Sequence, residues 1–297
     1  MRSTAQRKPA AVAVPVAPPP PPQVFHGHSG ADVRFHAASG IVRKTAAAPA
    51  VNARLLAQAE KQRRLFMLGL PFPRVLAERL DAEGRAQFDM QYLPGRSIAD
   101  AVNQAGAFDP ATVLKSVERM FWLFAQAAGA ALPAQLFHEK IHAIAKAGGD
   151  PVKEAAKRLA ACDWTGIPQS PCHGDLTLEN MLITTAKTIA FIDCDEPFAS
   201  SYWLDFGKLF QDIEGHWCLR RLYAADAPAP ARVNAIQKLA PLAREFRNLA
   251  AVTDAALPAR LPQLAALGLL RAVPYARDEA LIGFVCRRIA HLLDAAP

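Results

Sequence analysis

The residues best suited by type and spacing to do chemistry lie in one stretch: Pro171-Cys-His-Gly-Asp-Leu-Thr-Leu-Glu-Asn-Met-Leu-Ile183, then Ile189-Ala-Phe-Ile-Asp-Cys-Asp195. Asp175 and Asn180 flank a tight loop. Residues 181–184 and 188–192 read as a short apolar hairpin, and a hairpin there returns Asp193 to the side of the loop. Two carboxylates and an amide brought together suit one kind of work. One carboxylate orients a hydroxyl and accepts its proton, while the amide oxygen and the other carboxylate hold a hard divalent cation against phosphate oxygens. A buried acidic cluster without a cation is costly, so a metal is physically sensible. Singly, each residue has a plainer role: Asp175 as a helix cap after a turn, Asp193 as a strand-end acid. The ordered set is what points to chemistry.

The elements that must position this set can be read on either side of it. Residues 23–46 alternate in a strand-like way through Val24, Phe25, Val33, Phe35, Ile41 and Val42, with turns at Gly27–Gly30 and Ser39–Gly40. Strand alternation puts Lys44 on the face of Val42 and turns Arg43 to the other. A helix is expected over about 51–68, ended by Pro71 and Pro73. Within it Glu60 can pair with Arg64 four residues on. Two strands follow, near 74–78 and 87–92. From Ser97 the pattern is mainly helical. Asp109 before Pro110 is a helix start, and Val113, Leu114, Val117, Phe121 and Phe124 form an apolar stripe. Further helices are expected over 135–147, 151–162, 204–223, 231–251 and 276–294, around the β-rich island 171–195. Residues 1–22 read as a Pro/Ala-rich tail. The expected division is a tail at 1–22, a small β-rich lobe at 23–93 and a larger helical lobe at 94–297.

Composition narrows the classes. The 297 residues are 52% hydrophobic and 21% charged, a globular balance able to bury a core. The net charge of +7 and pI near 9.3 suit an anionic partner. The basic residues are scattered, and no nucleic-acid reader motif accompanies them, so no nucleic acid is expected. Five cysteines without a Cys-x-x-Cys spacing argue against a disulfide framework or zinc site and fit a reducing cytoplasm. No apolar run is long enough to span a bilayer.

His173-Gly174-Asp175-Leu176 with Asn180, followed by Phe191-Ile192-Asp193, resembles the catalytic and metal loops of the aminoglycoside phosphotransferase and choline kinase group. The resemblance implies an α+β fold, bilobal and protein-kinase-like, and a small-molecule kinase using ATP and Mg²⁺. By it, Asp175 is the catalytic base, Asn180 and Asp193 bind Mg²⁺, and His173 braces the loop. Lys44 is the ATP-phosphate lysine, held by Glu60 from the helix. Backbone groups of Gln91, Tyr92 and Leu93 meet adenine, and Ser29 and Gly30 belong to the loop over the phosphates. Asp205 caps the helix that follows and holds the catalytic loop. Asp195 either assists the metal or faces solvent. The style is closest to phosphotransferase-family proteins of bacterial surface-polysaccharide clusters.

Only eleven residues separate Asp193 from Asp205, and no Ala-Pro-Glu anchor follows, so no peptide substrate is expected. No Gly-x-x-x-x-Gly-Lys-Ser/Thr loop occurs, which disfavours a P-loop kinase. The expected acceptor is a small molecule, a sugar or sugar derivative. A choline-like or amino-sugar acceptor and a catalytically silent nucleotide-binding regulator stand as alternatives. Asp212, His216, Trp217 and Arg220 are candidates to meet the acceptor, each also able to be an ordinary helix residue.

Overall fold

The structure is a computed structural model and describes residues 23–26, 31–104, 108–224, 229–276 and 278–295. The expected tail at 1–22 and the expected phosphate-covering turn with Ser29 and Gly30 lie outside the described residues.

Alternation over 23–46 becomes three strands, β1 (Gln23–His26), β2 (Asp32–His36) and β3 (Ile41–Thr45). With β4 (Val75–Leu80) and β5 (Ala86–Gln91) they form an antiparallel sheet ordered β1-β2-β3-β5-β4. Period-two alternation decides what β3 offers each face. Val42 and Lys44 are buried, while Arg43 turns the other way and meets Asp89 at 2.7 Å. The helix α1 (Asn52–Met67) lays Leu55 and Ala59 against Val42, Ala86, Phe88 and Met90, which closes a small core.

The predicted apolar hairpin is β7 (Met181–Thr184) and β8 (Ile189–Phe191), extended to three strands by β6 (Gly95–Ser97). β6 is polar and carries no strand signal. Its glycine is required by close approach, since a Cβ on Gly95 would stand 2.5 Å from the Ile183 carbonyl oxygen.

The larger lobe is built from α2 (Ile98–Asn103), α3 (Pro110–Gln126), α4 (Ala134–Ala147), α5 (Asp150–Ala160), α6 (Tyr202–Ile213), α7 (Arg220–Ala224), α8 (Ala229–Thr253), α9 (Leu257–Leu270) and α10 (Glu279–Asp294). α3 starts where Asp109 caps it, accepting from the amides of Ala111 and Thr112 at 3.1 and 3.2 Å. Its stripe buries Val113, Val117, Phe121 and Phe124, and Phe121 stacks on Phe206 of α6 with ring centroids 3.7 Å apart.

The expected run of helices changes at two points. The single helix expected over 204–223 ends at Ile213, because Gly215 and a left-handed His216 (φ +56°) break it. α9 adds a helix between those expected over 231–251 and 276–294. Residues 261–270 are buried on every side, so this helix shows no amphipathic stripe. Among the described residues no helix is long and apolar enough to cross a membrane.

Candidate active site

The site is built on α6. Residues 205, 208 and 212 lie three and seven positions apart, so they share one helix face, and all three side chains reach the loop 173–178. The Asp205 carboxylate accepts from the amides of His173 at 2.5 Å and Gly174 at 2.9 Å, but it does not cap α6, which begins before it at Tyr202 with Ser201 as its cap. Lys208 meets Asp175 at 3.0 Å, and the Asp212 carboxylate accepts from the Leu178 amide at 2.6 Å. The loop is therefore held at both ends with its acid braced between.

Gly174 makes the tight turn possible. Its φ is +94°, and a Cβ there would lie 2.0 Å from the Asp195 carbonyl oxygen. His173 is fully buried beside Phe72 and Phe191, and its Nδ1 accepts from the Asp175 amide at 3.3 Å. Burial holds this imidazole down to about 4, so it stays neutral at pH 7.

The structure brings Asp175, Asn180 and Asp193 together. The Asn180 side-chain amide donates to the Asp175 carbonyl at 2.8 Å and to its carboxylate at 3.1 Å. The return of the hairpin is tied in by the Ile192 amide on the Asn180 carbonyl at 3.0 Å, and by the Asp195 amide on the His173 carbonyl at 3.0 Å. Asp193 itself sits at φ +61°, a left-handed conformation that aspartate tolerates better than most residues. Across the junction between the lobes, buried Lys44 forms an ion pair with Asp193.

The electrostatics separate these acids by role. The protein packed around Asp175 would raise its pKa, but the charge and hydrogen bond of Lys208 outweigh this and hold it below the ordinary carboxylate value. The side chain still keeps 41% of its surface exposed, open to an incoming group. Burial pushes Asp205 up to about 6 and Asp212 up to about 7, even though Asp205 accepts two backbone amides and Asp212 one.

Glu60 does not hold Lys44. It lies on the outer face of α1, 54% exposed, and pairs with Arg63 rather than with Lys44 or Arg64. The inward face of α1 carries Gln58, Lys61, Gln62 and Leu65, so a residue two positions from Gln58 points away. The carboxylate that meets Lys44 is Asp193.

Asp195 is engaged by α1 instead of facing solvent freely. Its carboxylate takes Arg54 at 2.5 Å and Gln58 at 2.8 Å, and its carbonyl takes Lys61 at 2.6 Å. In the expected adenine-binding segment, the Gln91 amide is used by the Arg74 carbonyl at 2.9 Å and the Tyr92 amide by the Gly40 carbonyl at 3.1 Å. Of the three amides there, that of Leu93 makes no backbone hydrogen bond among the described residues.

The residues expected to meet an acceptor are occupied otherwise. Asp212 is buried on the loop. Arg220 pairs with Glu179 at 2.8 Å and lies 4.4 Å over the Trp217 ring, and burial lowers the His216 pKa to about 4. Sequence reasoning missed Lys208. The signal was available: Asp205, Lys208 and Asp212 recur at helical spacing directly after the hairpin.

A loop of this build, between a small antiparallel sheet and a helical lobe, is that of the bilobal kinase-like phosphotransferases. Over residues 23–242, most of its length, the chain matches the phosphotransferase enzyme family and belongs to it. It is a small-molecule kinase by that membership. Among solved structures it is similar to aminoglycoside phosphotransferase APH(4)-Ia, a thermostable mutant in apo form, at 14% identity and a TM-score of 0.60, with 93% of this chain and 95% of that one covered. It is similar also to a glucosamine kinase in complex with glucosamine, ADP and inorganic phosphate, at 18% identity and a TM-score of 0.55, with 93% and 76% covered. A third is aminoglycoside phosphotransferase APH(3'')-Id from Streptomyces rimosus, at 20% identity and a TM-score of 0.52, with 82% and 92% covered. At these identities the likeness is one of fold. No curated protein matches the chain.

Proposed function

We propose that this chain transfers the γ-phosphate of ATP to a hydroxyl of a small molecule, a sugar or sugar derivative, with Asp175 as the base. The reading rests above all on the setting of Asp175. Its loop is pinned by α6, its carboxylate is kept ionised by Lys208, and it is hydrogen-bonded to Asn180. Phosphoryl transfer asks little covalent chemistry of a protein and depends on positioning and charge. An ionised carboxylate at the loop tip orients the acceptor hydroxyl and takes its proton as the oxygen attacks phosphorus. Lys44, freed from Asp193 by an incoming nucleotide, supplies positive charge to the ATP phosphates. The hinge at Gln91, Tyr92 and Leu93 meets adenine, and we assign the phosphate-covering loop to Ser29 and Gly30. On this reading residues 23–93 bind the nucleotide and residues 94–297 carry catalysis.

Asn180 and Asp193 fit Mg²⁺. The Asn180 nitrogen is spent on Asp175, which leaves its carbonyl oxygen. Asp193 adds a carboxylate, making an all-oxygen set of the kind this cation shares with phosphates. When bound, Mg²⁺ neutralises charge on the phosphates. All five cysteines are free, which supports a cytoplasmic setting.

The test is ADP release with Mg·ATP across sugars, amino sugars and small alcohols. With a competent acceptor, Asp175→Asn lowers the rate on the order of 10²- to 10⁴-fold while nucleotide affinity is nearly kept. A variant as fast as the wild type removes Asp175 as the base. A wild type that binds Mg·ATP and transfers to none of these acceptors favours a silent nucleotide-binding protein.

A further inference from the structure

The segment after Asp193 packs hard against the catalytic loop. The Asp195 amide bonds the His173 carbonyl, and a Cβ on Gly174 would stand 3.2 Å from Pro197 Cδ. The next residue, Phe198, therefore flanks the loop that bears Asp175. Two cations lie over its ring: the Arg271 guanidinium, just past the end of α9, at 5.2 Å from the centroid, and the Lys140 ammonium at 5.9 Å. The charge of Arg271 acts on Asp175 and Asp195.

Asp205 is fully buried on backbone amides, and the more exposed acids of this neighbourhood are each in an ion pair. Asp175 has Lys208, Asp193 has Lys44, Asp195 has Arg54, Glu196 has Lys61 at 3.8 Å, and Glu179 has Arg220. The Arg271 guanidinium, by contrast, makes no hydrogen bond or ion pair among the described residues; its backbone amide closes α9 on the Leu267 carbonyl, and its side chain lies over the Phe198 ring. A cationic acceptor would have to break a protein ion pair to find a carboxylate. A quaternary ammonium would find the aromatic face already covered by protein cations. An anionic group, in contrast, would complete a planar guanidinium that presents a fork of donors.

We infer that the acceptor carries a negatively charged group, a carboxylate or a phosphate, and that Arg271 receives it beside Phe198. The inference rests on the kinase reading above and names the acceptor class of the same site. Lys140 adds to the positive field without direct contact being required.

The test separates binding from turnover. The full chain, with Mg²⁺ and a non-hydrolysable ATP analogue present, is titrated calorimetrically with glucose, glucosamine, glucuronate and glucose 6-phosphate. The expected result is that at least one anion binds about 10- to 100-fold tighter than glucose. Added salt and Arg271→Gln both shrink that preference, and Arg271→Lys retains part of it. Comparison of glucuronate with glucose 6-phosphate tells carboxylate from phosphate. Glucose or glucosamine binding as tightly as both anions overturns the inference, as does a preference that survives Arg271→Gln or the binding of neither anion. ADP release measured separately with Mg·ATP keeps the two ideas apart. Turnover of a neutral or cationic acceptor refutes the anion site and leaves the kinase standing, whereas failure to bind Mg·ATP refutes the kinase reading itself.

Discussion

Asparagine at position 205 keeps the shape of the side chain, removes its charge and leaves one accepting oxygen where two now serve the amides of His173 and Gly174. Asp205 is fully buried, and burial raises its pKa from 3.8 to about 6 against the pull of those two amides. The folded value lies above the unfolded one, so the fold binds the extra proton. This contribution to stability is complete below about 4 and is lost as pH rises through about 6. Two units at about 1.4 kcal/mol each give about 3 kcal/mol in all, of which about 2 kcal/mol falls between pH 4.5 and 7.5. Asp205→Asn does not titrate. It also strands one loop amide, at about 1–3 kcal/mol at any pH. Urea denaturation of both proteins at pH 4.5, 6 and 7.5 should therefore show a stability gap that narrows by about 2 kcal/mol as pH rises. The kcat for ADP release should fall, because the same amides set the position of Asp175. Parallel stability profiles would refute Asp205 as the titrating group, and an unchanged kcat would refute its part in holding the loop.

Two further variants test the charge pairs. The surrounding protein raises the Asp175 pKa and Lys208 holds it down, so Lys208→Met should move the acid limb of the kcat/KM profile to higher pH; an unmoved limb means Lys208 is not the counter-ion. The same variant should lose about 1 kcal/mol or less near neutral pH, since Asp175 is partly exposed, and this loss should fade in acid as the carboxylate protonates. Glu60→Ala should change stability by no more than about 0.5 kcal/mol and leave the KM for ATP unchanged. A large rise in that KM would return Glu60 to the nucleotide site.

Much of the fold was legible because its signals are local. The cap at Asp109 depends on a carboxylate reaching amides two and three residues away, and it stands where the residues place it. Alternation in β3 sorts Lys44 from Arg43 without reference to the rest of the chain. α9 was not legible, since a helix buried on all sides has no stripe to betray it. β6 was not legible either. It is three polar residues whose strand form depends on pairing with β7, more than eighty positions later in the chain. The misassignment of Glu60 has a similar origin. Its distance from Lys44 in sequence suited a pair, but the phase of α1 against the sheet decides which side chains turn inward, and that phase is set by Leu55 and Ala59 packing on the small core.

The sequence by itself determined the chemical vocabulary: an acid and an amide on one loop, a second acid returned by a hairpin, a lysine on the buried face of a strand, and the short spacing to the helix that follows. Which partner each charge has was decided only by the tertiary structure. Lys44 finds Asp193 across 149 residues, Asp175 finds Lys208, and Asp195 finds Arg54 across 141. Coulomb attraction depends on distance in space and on the water left around each group. Sequence spacing can put a residue on a face, but the charge it meets there is settled when the elements pack.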